Sequence, residues 1–289
     1  MTEAKVNRKY KDTIFRMLFK EKENLLSLYN AVNGTLYVDT DGLEITTLQD
    51  AVYMNYKNDV SFVFDFELNL YEHQSTVNPN MPLRDLIYVT TVLQGIIRDE
   101  DLYSSKLIKL PTPRFVVFYN GTEPQPHKQI LRLSDAYEKQ LELPELELCV
   151  TVYNINYEEN KELLEACKVL KEYAQYVAMV RKFAIEKPLA EAVEQAVDTC
   201  IGNGILEDFL RKNRAEAIAM SIFEYDEEKH LTSEREIWRQ EGILEGRQEG
   251  ESRLAKLLEL MLQGNKKDSV EKALADAEYR EKLYKEYHL

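Results

Sequence analysis

Cysteine is scarce. Cys149, Cys167 and Cys200 are odd in number and far apart, and none belongs to a CxxC pair. A disulfide framework or a thiolate zinc site needs closer or paired spacing, so three buried free thiols are expected instead. Histidine is equally thin, with His73, His127, His230 and His288 scattered along the chain. That scatter argues against a His-ligated metal. No apolar run approaches the roughly 20 residues of a membrane span, and Met1-Thr2-Glu3-Ala4-Lys5 starts no signal peptide, so a cytoplasmic location without a membrane partner is expected. A P-loop, a GxGxxG turn and a Ser-His-Asp signature are all missing, so nucleotide-driven and hydride-transfer chemistries lose ground. Positive charge is in deficit too, 37 Lys and Arg standing against 51 Asp and Glu for a net charge of -14.

What is present begins with a hairpin. Asp59-Val60-Ser61-Phe62-Val63-Phe64-Asp65 alternates with a period of two, as does Leu68-Asn69-Leu70-Tyr71-Glu72-His73-Gln74-Ser75. Glu72 and Gln74 share one face of the second strand and His73 takes the other. A turn near Phe66-Glu67 would bring Asp59 close to Gln74 and within about two residues of Glu72. Carboxylates on facing strands start about 4.5 to 5.5 Å apart at Cβ, near enough to share a Mg²⁺. A one-residue slip would turn Glu72 away. In a chain this acidic the competing explanation is a solvated strand face carrying carboxylates by chance.

The stretch Glu72-His73-Gln74-Ser75-Thr76 and the following Asn80-Met81-Pro82-Leu83-Arg84-Asp85-Leu86-Ile87-Tyr88 tip that balance. They resemble the Rpn family of recombination-promoting nucleases and transposases, a branch of the PD-(D/E)XK phosphodiesterases in which the last motif position is often Gln. Lys11-Asp12-Thr13-Ile14-Phe15-Arg16-Met17-Leu18-Phe19 looks like the family's opening helix, and Phe115-Val116-Val117-Phe118-Tyr119-Asn120-Gly121 like its later strand and turn. The resemblance implies Asp59 and Glu72 as metal ligands, the backbone carbonyl of His73 as a third, and Mg²⁺ or Mn²⁺ as the cofactor. It implies Gln74 in the place of a catalytic Lys, DNA as the substrate, and a link to recombination or mobile elements.

Two departures from the motif are visible: Asn58 precedes Asp59 where the motif name has Pro, and Gln74 carries no charge. Two unit charges about 4 Å apart interact by roughly 1 kcal/mol in water and about 4 at an effective dielectric near 20. Losing the Lys charge would therefore slow the reaction by some five- to a thousandfold. Gln still offers an acceptor and two donors for orienting water. The departures keep a second reading open, that of a nuclease-fold module with weak or no catalysis that acts through protein or DNA binding.

Affinity for DNA comes largely from phosphate neutralisation. Lys5, Arg8, Lys9, Lys11, Arg16, Lys20 and Lys22 make the opening segment basic, and Arg84, Arg98, Lys106, Lys109 and Arg114 add a second scatter expected around the site. Overall acidity predicts weak, salt-sensitive binding unless a partner or dimer adds positive surface. Arg84 and Tyr88 lie one helical turn apart and suit a phosphate clamp and a base stack. Asp12 suits either the site or a helix cap.

The order of elements is α, strands, α, strand, then helices. The expected fold is α/β: a PD-(D/E)XK-like restriction-endonuclease core over 1–156, with a mixed central sheet flanked by helices and the site at one edge. A mainly α-helical region follows over 157–289. The opening helix is predicted over about 10–31 with a stop at Asn33-Gly34, further strands over Leu43–Thr47 and Arg114–Tyr119, and a closing strand over Leu146–Val152. Gly242, Gly246 and Gly250 recur every four residues within 234–263, each costing a helix about 1 kcal/mol relative to Ala. Close approach of a second helix would compensate, so this segment is a candidate for homo-oligomerisation; the rival explanation is a poorly formed hinge.

Overall fold

A computed structural model of the chain describes residues 14–46, 59–97, 103, 105–263, 269–287 and 289. Asp12, Arg98 and the basic residues Lys5, Arg8, Lys9 and Lys11 lie outside the described residues. Two compact units are present, 1–228 and 229–289.

The first unit is built on six strands: β1 (Glu44–Ile45), β2 (Val60–Phe64), β3 (Glu67–Gln74), β4 (Thr112–Tyr119), β5 (Lys128–Arg132) and β6 (Cys149–Asn154). They form one mixed sheet in the order β1-β2-β3-β4-β6-β5. The β3–β4 and β4–β6 pairs are parallel and the rest antiparallel. The chain is thus α/β, with a mixed sheet flanked by helices. The closing strand predicted over Leu146–Val152 starts later and lies inside the sheet, and the edge place belongs to β5. Lys128–Arg132 is easy to miss because its burial merely alternates between exposed and half-buried, as an edge strand's does.

Helices α1 (Ile14–Phe19) and α2 (Lys22–Asn33) replace the single opening helix that the apolar spacing predicts. The break falls at Lys20-Glu21 without a Pro or Gly to signal it. The predicted stop is real: Gly34 takes the left-handed conformation, φ 65, and its N–H closes on the Asn30 carbonyl. Helix α3 (Met81–Ile96) carries Pro82 in its first turn, where a missing N–H does no harm. It covers one face of the sheet, where Leu68 and Leu70 meet Tyr88, Val89 and Val92, while Met81 packs with Val117, Tyr119, Val150 and Val152.

The other face of the sheet, presenting Phe62, Phe64, Tyr71 and Phe118, packs on α1 and α2. The same core takes in α4 (Lys161–Ala166), α5 (Lys168–Ala184), α6 (Leu189–Gly202) and α7 (Glu207–Lys212), through Leu164, Cys167, Tyr173, Val193 and Leu210. The first four helices of the region that the sequence pattern begins at 157 therefore share the core of the sheet. Cys167 and Cys200 are buried as expected, but Cys149, at the first position of β6, is exposed.

The hairpin turn sits one residue earlier than the sequence suggests. Phe64 pairs with Glu67, leaving the two-residue loop Asp65-Phe66 with both residues at positive φ, 48 and 60. Such loops match the strand twist but usually recruit Asn and Gly. Asp65 tolerates the conformation and accepts a 2.7 Å hydrogen bond from Tyr37 Oη. Phe66 has no such tolerance, and is 87% exposed. Left-handed backbone costs an ordinary residue about 1 to 2 kcal/mol, and part of that gain is lost to the extra freedom of an unfolded glycine. Phe66→Gly is expected to stabilise the chain by about 0.5 to 1 kcal/mol, seen as a higher urea midpoint with unchanged slope.

In the second unit α8 (Arg214–Gln263), which begins in the first, is followed by α9 (Val270–Ala275) and α10 (Ala277–Glu286). Leu257 and Met261 pack on Ala273, Leu283 and Tyr284. The segment 234–263 is helical, and a side chain at Gly242, Gly246 or Gly250 would meet nothing within 4 Å. No helix among the described residues is long and apolar enough to cross a membrane.

Candidate metal centre

The earlier turn moves the register by one pair and improves the site. Val60 faces Tyr71, so Asp59, one step further out, faces Glu72 instead of Gln74. Odd positions of β2 and even positions of β3 lie on the α3 face, which gathers Asp59, Glu72 and Gln74 with Arg84 and Tyr88 of the helix. The site lies at the C-terminal end of β3, an interior strand, and not along a lateral edge of the sheet.

Glu72 is only 4% exposed, and among the described residues its Oε1 has no hydrogen-bond partner. Its Oε2 lies 3.8 Å from Arg84 Nη2. Burial pushes the carboxyl well above the usual range, the Asp59 carboxylate pushes the same way, Arg84 opposes, and Asp85 adds to the rise. An orphaned buried oxygen facing a second carboxylate suits a hard cation that takes oxygen ligands. Asp59 is half-buried and accepts a 2.7 Å hydrogen bond from the His73 backbone N–H through Oδ2. In a strand the N–H and C=O of one residue point the same way, so the His73 carbonyl also faces the Asp59 side. Two carboxylates and one backbone carbonyl therefore fit an oxygen-ligated divalent ion. Among the described residues there is no group of three or more His, Cys, Asp or Glu side chains that could hold one without that carbonyl.

The His73 ring goes the other way, as alternation requires. It stacks on Phe15, with centroids 5.0 Å apart, and its Nε2 is 3.0 Å from Tyr173 Oη, which accepts from Asn120 Nδ2 at 3.3 Å. Burial, aided by Arg181, drops its pKa to about 3, so the ring is neutral; its contacts with Phe15 and Tyr173 point it away from Asp59 and Glu72. Gln74 Nε2 donates to the thioether of Met81 at 2.7 Å. Arg84 Nη1 reaches the same sulfur at 3.5 Å and Nη2 donates to Tyr88 Oη at 3.0 Å. Arg84 is thus held by Glu72 and Tyr88.

Arg114 does not belong with this group. It pairs in register with Asn69 and bonds Glu67 at 2.6 Å, near the start of β3. Asp85 was missed as a member of the neighbourhood. It is 1% exposed, and neither oxygen has a partner among the described residues. Burial lifts its pKa to about 7, against a lowering by Arg84. The signal was in the sequence: Met81, Asp85, Tyr88, Val89 and Val92 trace one helical stripe, and an acid in an apolar stripe is out of place.

Gly121 fixes the end of β3. A Cβ there would fall far inside van der Waals contact with the Ser75 carbonyl and the Tyr119 ring. The Gln74 carbonyl accepts from Asn120 N at 3.0 Å, and the Gly121 carbonyl accepts from Asn156 Nδ2 at 2.9 Å, so neither strand is free to retreat. The turn-favouring Asn120-Gly121 pair is explained by this close approach. Gly121→Ala is expected to cost about 2 to 3 kcal/mol, at the upper end of overpacking penalties, read as a fall in urea midpoint.

Comparison with protein-family models, with curated proteins and with solved structures gives no match. The functional reading therefore stands on the geometry above and on the motif resemblance.

Proposed function

We propose that the chain is a Mg²⁺-dependent DNA endonuclease of PD-(D/E)XK type, linked to recombination or mobile elements, with Mn²⁺ able to replace Mg²⁺. The observation that carries this is the register that sets Asp59 against Glu72, with Glu72 Oε1 buried and unpartnered among the described residues. Asp59, Glu72 and the His73 carbonyl would hold the ion. The chemistry a bound Mg²⁺ supplies is Lewis acidity toward the phosphodiester and the attacking water.

The chain's own residues divide the remaining tasks. Asp59 and Glu72 fix the position of positive charge at the strand end, while burial of Glu72 keeps bulk water from screening it. Gln74 stands two residues on, on the same face, and orients water by hydrogen bonding without acting as a base. Arg84 supplies a cation for a phosphate and Tyr88 holds that guanidinium in place.

The second reading, a module with weak catalysis, draws on one observation: the Gln74 amide is occupied by Met81 and not by a partner of the acids. A nicking assay on supercoiled DNA with Mg²⁺ or Mn²⁺ separates the two. Nicking by the parent, lost in both Asp59→Ala and Glu72→Ala, supports the endonuclease. Nicking that persists in either variant, or is absent from the parent while DNA is still bound, favours the module.

A further inference from the structure

We propose that Arg84 is a built-in counter-ion for Glu72 which a divalent cation replaces, so that the released guanidinium becomes the seat for a single phosphodiester. This inference rests on the metal site proposed above and concerns how that site couples ion to nucleic acid. Three features of the geometry carry it. The guanidinium lies 3.8 Å from Glu72 Oε2, close enough to neutralise but beyond a hydrogen bond, so the pair is held by charge and not by a fixed fork. Its directional bonds go elsewhere, to Tyr88 Oη at 3.0 Å and to the Met81 thioether at 3.5 Å, both on its own helix. Those bonds are made by the guanidinium nitrogens themselves, so Arg84 stays seated on α3 when a cation takes over Glu72. The side chain is also 29% exposed where that of Glu72 is 5%, so the guanidinium is the partner that an incoming phosphate can reach from solvent.

Charge counting gives the direction of the coupling. Ionised Asp59 and Glu72 carry two negative charges, which one divalent cation cancels. Arg84 is then left with a unit charge and no counter-charge from that pair, and a phosphodiester brings one. Ion and nucleic acid should each strengthen the other's binding by the same factor. Before the ion arrives, Arg84 competes with it for Glu72. The other anion within its influence is Asp85, the neighbour in sequence, and a guanidinium that turned there on release would give no gain in nucleic-acid affinity.

The test uses the full chain, Mn²⁺ as the ion and a phosphorothioate duplex, which keeps backbone charge and resists hydrolysis. In Arg84→Gln, Mn²⁺ measured by calorimetry without DNA should bind about tenfold tighter than in the parent, because the competing charge is gone. The gain in duplex affinity on adding Mn²⁺, clear in the parent, should vanish in the variant. Arg84→Lys should return the Mn²⁺ affinity toward that of the parent without restoring the full duplex gain, since Lys lacks the two-pronged donor. Arg84→Met, which matches the apolar stem, repeats the measurement should Gln impair folding. Unchanged or weaker Mn²⁺ binding in the neutral variants overturns the inference alone, as does a duplex gain that survives in them. Absence of Mn²⁺ binding from the parent and the variants overturns the metal site and this inference together.

Discussion

At pH 8 and without divalent cation, an Asp85→Asn chain is expected to be more stable than its parent by about 4 kcal/mol, read from urea unfolding. The buried Asp85 carboxyl is raised from the ordinary 3.8 to about 7. Roughly three decades of proton affinity at about 1.4 kcal/mol each give the magnitude. The sign follows from proton binding: between pH 4 and 7 the native chain holds a proton that the unfolded chain has lost, so stability falls as pH rises through that window. Above 7 the loss is complete, and below 4 parent and variant should converge. His73 slopes the other way, because its pKa is lowered from 6.5 to about 3 and stability that depends on the neutral ring is lost as pH falls through that interval. The two slopes oppose each other in the parent, so only the difference between parent and variant isolates Asp85. Equal stability of the two chains at pH 8 would show that Asp85 meets a partner in the folded protein.

Glu72→Gln should produce effects of opposite sign on stability and on chemistry. Its carboxyl is held well above the normal range by burial and by the Asp59 carboxylate, so removing the charge relieves the ion-free protein at neutral pH and raises its melting temperature. The same change deletes one of the two acids assigned to the ion. Mn²⁺ should stabilise the parent, by an amount that grows with the ratio of its concentration to Kd, and leave the Glu72→Gln chain where it was. Nicking of supercoiled DNA should disappear with it. A destabilised ion-free variant would instead mean that Glu72 serves the fold, through its contact with Arg84. A variant that still responds to Mn²⁺ would place the ion elsewhere.

Alternation along Asp59–Asp65 and Leu68–Ser75 was enough to read the hairpin, the shared face of Glu72 and Gln74, and the opposite pointing of His73. The register was not, because the loop is Asp65-Phe66 and lacks the Asn or Gly that ordinarily marks left-handed positions. Apolar spacing does not announce the break at Lys20-Glu21, since it runs through it; the Asn24 amide, which donates to the Leu18 carbonyl at 2.8 Å, bridges the two helices there. Strand β5 escaped because half of an edge strand's pattern is polar on both sides. The role of Gly121 depends on Ser75, which is 46 positions away in sequence and beside it in space. Asp85 was legible as an acid in the wrong stripe, but its lack of partners depends on what the neighbouring strands present.

The Asp65-Phe66 loop lies seven positions from Glu72 along β2–β3 counting from Asp65, about 20 Å at the rise of an extended strand. It touches none of the acids, yet it acts as a ruler for them: the number of residues it contains decides which side chain meets Asp59. A one-residue slip of β2 against β3 would turn the Asp59 side chain to the face of the sheet opposite Glu72. The assembly of the charged pair is thus governed from the far end of the hairpin. A change of register set at that distant point would part the two acids of the proposed metal centre without altering either of them.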